Sequence, residues 1–261
     1  MKSRRTSTSQ ENSHTPNSDP CGGDLSTAIV IPTYNEAENI HAVVDGIFKL
    51  NIPNPIVVIV DDGSPDGTAK IAEMLSRQYD GKVHLIQRGE KLGLGTAYVT
   101  GFSYALSHGS DYILQMDADM SHGLEYIPEF INKLRVSDVV VGSRYVIGGG
   151  IDLRSNMPRK MLSSLANFGI RTTVGLKVKD STSGFKAFRK DVLKSIDLSN
   201  FKCSGFGFQV EVAYACERKN FRVLEHPIIF TNRLNGKSKM SIAIIFEAIR
   251  HLLLIRWDKK S

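Results

Sequence analysis

The sequence predicts an α/β fold in which a mostly parallel sheet is covered by helices on both faces. Short runs of consecutive apolar, β-branched residues alternate along the chain with stretches of helical periodicity. Strands that are apolar throughout are typical of parallel sheets that are buried on both sides. Acidic, glycine-containing or basic motifs directly follow several of these runs. Because ligands bind at the carboxyl ends of parallel strands, these motifs predict one site at that edge of the sheet.

Five apolar runs are predicted to be strands, at residues 27–32, 55–60, 82–87, 112–116 and 138–142. Asn35 and Glu38 form a capping-box pattern for the first helix, and Ser64 with Pro65 is typical of the start of the second. Further helices are predicted to end near residue 106 and to span 124–134 and 157–174. Segments 180–189 and 205–211 are predicted to be functional loops or helix starts that pack against the sheet.

The composition is that of a globular protein with one large domain. The chain has 261 residues, of which 41% are hydrophobic and 23% are charged. Residues 1–24 are polar and lack the apolar core of a signal peptide, so we predict a disordered tail before a domain at 25–239. The three cysteines, Cys21, Cys203 and Cys216, are far apart, which indicates neither a disulfide framework nor a zinc site and favours a reducing compartment.

The net charge of +6 is concentrated at the C-terminal end. Residues 233–261 contain seven Lys or Arg and two acidic residues, a local excess of five. A concentrated basic segment indicates a phosphate-bearing partner or an anionic membrane. No nucleic-acid motif accompanies this charge, so we do not expect a nucleic-acid partner.

The acidic triplet 117–119 follows the fourth predicted strand. Residues two apart on an extended chain point the same way, so Asp117 and Asp119 can face one ligand. Carboxylates that share Mg²⁺ or Mn²⁺ with substrate phosphates have this arrangement, although such triplets also occur in solvated turns. At neighbouring strand ends, Asp62 can accept hydrogen bonds from a base or ribose or cap a turn, and Arg144 suits phosphate or a surface ion pair.

Other nucleotide-binding signatures are absent. The glycines at 89, 93 and 95 do not form the dinucleotide fingerprint after the first strand, and no P-loop is present. Tyr34, after the first strand, could stack on a base, but a lone aromatic residue is more often part of the packing.

Seven motifs occur in an order that resembles one family. They are PTYNE at 32–36, DDGSPDGT at 61–68, LGLGTAY at 92–98, MDADMSH at 116–122, GSRY at 142–145, TSGF at 182–185 and NGKSK at 235–239. Over residues 25–241 the chain closely resembles the polyprenyl (dolichyl) phosphate mannose synthases of glycosyltransferase family 2. The resemblance implies a glycosyltransferase-A fold, GDP-mannose as donor, a polyprenyl phosphate as acceptor, Mg²⁺ or Mn²⁺ as cofactor, and inversion at the sugar.

The resemblance also assigns roles to residues. The guanosine end would be held by Pro32, Tyr34, Glu36, Val60 and Asp62, with Ala118 beside the nucleotide. The metal would be held by Asp117 and Asp119, and the phosphates by Arg144, Arg159, Arg233 and Lys239. Of these, Asp119, Arg144 and Lys239 would be catalytic. The chain departs from some relatives at Ser121, where they have a glutamine ligand, and at Ile151, where many have tryptophan.

Residues 240–261 are predicted to form an amphipathic helix that associates with a membrane. Glu247, Arg250 and His251 interrupt the middle of this segment, where charges would be costly in a membrane span. We therefore expect a peripheral protein. The family resemblance implies that it lies on the cytoplasmic face, at the plasma membrane of a prokaryote or the endoplasmic reticulum of a eukaryote. Two alternatives are that the helix packs on the protein's own core or docks a small membrane-spanning partner subunit.

Two other functions remain open at this point. A relative in the same family could transfer glucose from UDP-glucose to the same lipid class. A non-catalytic subunit could bind a nucleotide sugar without transferring it, although the intact acidic triplet, Arg144 and Lys239 argue against that.

Overall fold

The structure is a computed structural model that describes residues 25–152, 157–198, 201 and 206–231, without the side chains of 157–163 and 206. The strands are β1 (Thr27–Thr33), β2 (Pro55–Asp61), β3 (Val83–Gln87), β4 (Tyr112–Gln115), β5 (Val139–Ser143), β6 (Gly150–Ile151), β7 (Lys186–Arg189), β8 (Val223–Pro227) and β9 (Ile229–Phe230). The helices are α1 (Ile40–Phe48), α2 (Thr68–Gln78), α3 (Leu94–Ser107), α4 (Tyr126–Lys133), α5 (Met157–Val174), α6 (Lys190–Ser195) and α7 (Phe206–Arg218).

The main sheet has the strand order β3-β2-β1-β4-β7-β5-β8. Every pairing is parallel except those of β7, which runs antiparallel to β4 and β5. The prediction of a mostly parallel sheet is confirmed. From β1 the chain order proceeds to β2 and β3 on one side and to β4 on the other. The boundary between β1 and β4 is therefore the topological switch point, where α/β sheets open a crevice for ligands.

Both faces of the sheet are buried, which explains why the strands are apolar without alternation. In β1, Ile29 belongs to the core cluster that contains Phe130 of α4, while Val30 belongs to the cluster that contains Phe102 of α3. Successive side chains of a strand point to opposite faces, so Ile29 and Val30 pack into different apolar layers. Gly101 allows α3 to approach this sheet, because a Cβ there would lie 2.2 Å from Cγ1 of Val30.

The first two helices begin later than the sequence predicts, and the proposed caps are wrong. The α1 helix begins at Ile40, whereas Asn35 has a φ of 61° and its backbone N–H donates to Oγ of Ser64. The α2 helix begins at Thr68, after Gly67 with a φ of 92°. The chain entering α1 is held by side chains from the loop before α2 and from the start of that helix, since Asp66 and Thr68 accept further N–H groups there. This tertiary contact replaces the local capping box.

Several sequence-based expectations fall outside the described residues, including the N-terminal tail at 1–24 and the helix at 240–261. The predicted helix at 157–174 is confirmed as α5. Segment 180–189, predicted to be a functional loop or helix start, instead ends in the strand β7. Across the residues that are described, no helix has both the length and the apolar character needed to cross a membrane.

Candidate active site

The acidic triplet begins two residues after the end of β4, at the switch point of the sheet. Asp119 is buried, with 4% of its surface exposed, and its carboxylate accepts a hydrogen bond of 3.0 Å from the N–H of Ser121. Met120 between them has a φ of 59°, so the backbone turns sharply here. Because a non-glycine residue rarely adopts this conformation, the turn is a strained feature that the surrounding contacts maintain.

Asp117 is held from three directions. The Tyr98 hydroxyl, on α3, donates to Oδ1 at 3.2 Å, and the Asp117 N–H donates to Nδ1 of His122 at 3.1 Å. Gly184 covers the third side, since a Cβ there would lie 3.5 Å from Oδ2 of Asp117. Burial and the Asp117 carboxylate raise the pKa of Tyr98 well above its usual value, so its phenol remains a donor.

The oxygen ligands at this strand end suit a hard divalent cation. No group of three or more His, Cys, Asp or Glu able to hold a metal occurs among the residues that the structure describes. Asp117 and Asp119 could contribute two carboxylates to Mg²⁺ or Mn²⁺, with substrate phosphates and water as the other ligands. The neighbouring Ser121 Oγ is buried and has no hydrogen-bond partner within the described part of the chain. This polar atom suits a ligand or a bound water at the site.

The residues predicted to hold a nucleoside line the ends of β1 and β2. Pro32 and Tyr34 are half-buried, whereas Val60 is fully buried opposite Pro32 in the sheet. The Lys91 ammonium lies 3.8 Å from the centroid of the Tyr34 ring, a cation–π contact. Glu36 is half-buried, and its Oε2 accepts a hydrogen bond of 2.9 Å from the Asn39 amide.

Asp62 forms an internal ion pair that the sequence reasoning missed. Its Oδ1 accepts a hydrogen bond of 2.5 Å from Nε of Arg88, and its Oδ2 accepts one of 3.1 Å from the N–H of Gly93. Arg88 also donates to Oγ1 of Thr96 at 2.7 Å. These contacts tie the end of β2 to the glycine loop before α3. The predicted contact between Asp62 and a nucleoside stays a prediction.

Arg144 lies just beyond β5 and is oriented by a buried carboxylate. Its Nε and Nη2 each donate to Asp180 at 2.7 Å, and Nη2 also donates to Oγ1 of Thr182 at 2.9 Å. Only 12% of the Arg144 side chain and none of the Asp180 side chain is exposed. Although burial opposes it, the Asp180 carboxylate raises the pKa of Arg144 above its usual value. The hydrogen bonds of this guanidinium to described residues come from Nε and Nη2, and none comes from Nη1.

The segment that carries Asp180 is itself held by polar side chains from three elements. Glu217 of α7 accepts the N–H groups of residues 177 and 178, and Glu225 of β8 accepts those of 179 and 180. Asn167 of α5 accepts the N–H of Ser181 at 3.1 Å. The motif at 182–185 was the feature of the sequence that marked this region as functional. The sequence could not show that Asp180 forms an ion pair with Arg144.

Three predicted phosphate-binding residues cannot be placed. Arg159 lies on α5, but its side chain is outside the description, as are Arg233 and Lys239 altogether. Thr231, near the end of the described chain, lies beside the acidic triplet. Its N–H donates to the Ser121 carbonyl at 3.2 Å, and its hydroxyl donates to the Met120 carbonyl at 3.0 Å.

A mostly parallel sheet with two carboxylates at its switch point and an oriented arginine is compatible with a sugar transferase, and the family match establishes that class. The chain belongs to glycosyl transferase family 2, whose family model matches residues 28–197. It is 40% identical over 235 residues to an undecaprenyl-phosphate mannosyltransferase from Micrococcus luteus, covering 88% of this chain and 95% of that protein. It is 39% identical over 226 residues to a polyprenol monophosphomannose synthase from Mycolicibacterium smegmatis, covering 85% and 84%.

Solved structures of the same fold belong to glucosyl-3-phosphoglycerate synthase from Mycobacterium tuberculosis. The complex with phosphoglyceric acid superposes with a TM-score of 0.62 at 17% identity, covering 88% of this chain and 79% of that chain. A complex with Mn²⁺, UDP and glucosyl-3-phosphoglycerate has a TM-score of 0.59 at 16% identity, covering 88% and 77%. At this identity the likeness concerns the fold alone, and it confirms the expected glycosyltransferase-A architecture.

Proposed function

We propose that this chain transfers mannose from GDP-mannose to a polyprenyl (dolichyl) phosphate, giving polyprenyl phosphate β-mannose and GDP. The observation that carries this proposal is the 40% identity to an undecaprenyl-phosphate mannosyltransferase over 95% of that protein's length. The acidic pair at the switch point, the oriented arginine and the seven ordered motifs support the same activity. The product would supply mannose for protein or cell-envelope glycosylation.

The chemistry needs little proton transfer. A polyprenyl phosphate is already an anion at pH 7, because its second pKa is about 6. One of its oxygens attacks the anomeric carbon while the bond from that carbon to the diphosphate oxygen breaks, and GDP leaves with the electron pair. A single displacement inverts the centre, so an α-linked donor gives a β-linked product. The main task of the protein is to bring two anionic substrates together and to stabilise the leaving diphosphate.

Named side chains can meet this electrostatic demand. Asp117 and Asp119 would hold Mg²⁺ or Mn²⁺, which neutralises charge on the leaving diphosphate when bound. Arg144 presents Nη1 from a guanidinium that Asp180 already holds, so little conformational freedom is lost when it meets a phosphate. We assign Arg159, Arg233 and Lys239 to the remaining phosphate contacts, with Lys239 acting alongside Asp119 and Arg144 in catalysis.

The nucleoside would lie across the ends of β1 and β2. We assign it to six residues carried by the family motifs, namely Pro32, Tyr34, Glu36, Val60, Asp62 and Ala118. We assign base stacking to the half-buried Tyr34 ring, which Lys91 also contacts. Lys91 would then lie beside the nucleotide and add to the positive potential that attracts it.

The acceptor requires access to a membrane. We propose that residues 240–261 form an interfacial helix that brings the chain to the cytoplasmic face, where lipid phosphates are available. Flotation with anionic liposomes, with and without residues 240–261, tests this assignment. Loss of binding on truncation supports the lipid-binding helix, whereas equal binding contradicts it. Binding that requires added membrane proteins would instead favour a membrane-spanning partner subunit.

One transfer assay tests the proposed activity. The full chain is incubated with a polyprenyl phosphate, Mg²⁺ or Mn²⁺, and either radiolabelled GDP-mannose or radiolabelled UDP-glucose. We expect lipid-extractable label from GDP-mannose only, and its loss when a chelator removes the metal. Label from UDP-glucose would establish the glucosyltransferase alternative. Nucleotide-sugar binding without transfer to any lipid phosphate would establish a non-catalytic subunit.

A further inference from the structure

Lys186 is a buried lysine that the proposed chemistry does not use. It lies in β7, between β4 and β5, and none of its surface is exposed. Its ammonium group donates to Oε1 of Gln209 at 2.7 Å and to the backbone carbonyl of Ser183. Both acceptors are neutral, and no carboxylate within the described residues forms an ion pair with it.

Stability does not explain a lysine at this position. Burial lowers its pKa to about 7, because the charged form loses its hydration inside the sheet. Replacement of a complete buried ion pair by apolar groups is often neutral or stabilising, and Lys186 has no ion-pair partner among the described residues to offset its desolvation. A methionine of similar length would avoid that desolvation, although it would leave the Ser183 carbonyl without its lysine donor.

The hydrogen bonds of Lys186 lead to the acidic site. Gln115 ends β4, two residues before Asp117, and its amide donates to Oε1 of Gln209 at 2.6 Å and to the Gly184 carbonyl at 3.1 Å. Two consecutive carbonyls, of residues 183 and 184, are thus held by one buried polar network. Lys186 holds the first of them and Gln115 holds the second.

The backbone at Gly184, which this network holds, lies against the predicted metal ligand Asp117. A Cβ on Gly184 would lie 3.5 Å from Oδ2 and 3.6 Å from Oδ1 of Asp117. It would also lie 3.5 Å from Cε1 of His122, whose ring is stacked on Phe185 with centroids 4.9 Å apart. His122 in turn accepts the backbone N–H of Asp117. A shift of the Ser183–Gly184 backbone would therefore change the contact that confines the Asp117 carboxylate.

We propose that Lys186 is a positioning residue of the transfer site, holding the Ser183–Gly184 backbone against Asp117 so that the acidic pair keeps its metal-binding geometry. This inference rests on the proposed function, because it concerns the metal and diphosphate of that same site. Lys186 acts through the backbone and through Gln115, without itself contacting substrate.

Binding of GDP in the presence of Mn²⁺ tests the proposal without requiring transfer. Calorimetry on the full chain compares the wild type with Lys186→Met, with Gln115→Met as a second route into the same network. Lys190→Met is the matched control, because Lys190 pairs with Asp111 at 2.7 Å and is partly exposed. We expect Kd for GDP to rise about tenfold in Lys186→Met and Gln115→Met, the change that loss of one buried hydrogen bond produces. Lys190→Met should bind as the wild type does.

Thermal melting of each variant separates positioning from a purely structural role. Weaker GDP binding at a wild-type melting temperature supports the proposal, and so does a rise in the KM for metal with little change in kcat. Wild-type affinity in both network variants overturns it, whatever happens to their stability. If Lys186→Met does not fold, Gln115→Met decides the outcome. If the wild type binds neither GDP nor Mn²⁺, the proposed function fails first, and this inference fails with it.

Discussion

Replacing Asp180 by asparagine is the sharpest test of how Arg144 is arranged. The substitution keeps the shape of the side chain but removes its charge and turns an N–H group toward the guanidinium. In the wild type, Asp180 accepts hydrogen bonds from Nε, Nη2 and the backbone N–H of Arg144, at 2.7, 2.7 and 3.0 Å. The variant therefore leaves a buried guanidinium without its counter-charge.

The expected loss of stability follows from the burial of this pair. Only 12% of the Arg144 side chain and 0% of the Asp180 side chain is exposed. Breaking a buried ion pair from one side costs about 3–5 kcal/mol, because the remaining charge stays desolvated. With 2–4 °C per kcal/mol for a domain of this size, the melting temperature should fall by roughly 6–20 °C. The partly exposed pair of Asp111 and Lys190 is the control, and Asp111→Asn should cost about 1 kcal/mol or less.

Stability and activity should respond differently to a second substitution. Combining Asp180→Asn with Arg144→Met removes both charges, so most of the lost stability should return while mannose transfer should not. Melting curves measure the stability of the single and double variants, and the transfer assay measures their activity. The coupling energy between Arg144 and Asp180 follows from the double-mutant cycle. A wild-type melting temperature together with a wild-type kcat/KM in Asp180→Asn would refute the reasoning. Active mannose transfer by the double variant would refute it as well.

Three further substitutions or probes test the site and the buried core. Asp119→Ala should abolish transfer and leave cooperative melting intact, and an active, folded variant would contradict the metal assignment. Tyr98→Phe removes the hydroxyl that donates to Asp117 at 3.2 Å and should weaken Mn²⁺ binding about tenfold, measured by calorimetry. Burial raises the pKa of the Cys216 thiol to about 12, so a thiol reagent at pH 8 should leave it unmodified until denaturant unfolds the chain. Rapid labelling of native Cys216 would contradict its burial.

Much of the fold was predictable because the strands are buried on both faces. A strand covered on both sides has an unbroken run of apolar residues in the sequence. The strand predicted at 55–60 matches β2 to within one residue at its end. β7 was not recognised as a strand, since Lys186 lies inside it and a charged residue argues against a buried strand. The start of α1 was also mispredicted, because its flanking N–H groups are satisfied by the loop before α2 rather than by local side chains.

The sequence alone determined which residues gather at one edge of the sheet. Motifs that follow parallel strands lie at the carboxyl ends, so Asp117, Asp119 and Arg144 were predicted to lie at the same edge of the sheet. Their chemical types also follow from the sequence, because carboxylates suit a divalent cation and a guanidinium suits phosphate. The family resemblance added the donor and the acceptor, which no spacing could supply.

Only the tertiary structure decided which partners these side chains have. Asp62 pairs with Arg88, and Arg144 with Asp180, across separations of 26 and 36 residues that leave no local pattern. A buried carboxylate or guanidinium must find a partner, but the sequence offers many candidates of either sign. The packing of β7 between β4 and β5 also places Lys186 opposite Gln115, two residues before Asp117. Burial and long-range pairing, rather than local propensity, set the geometry of this site.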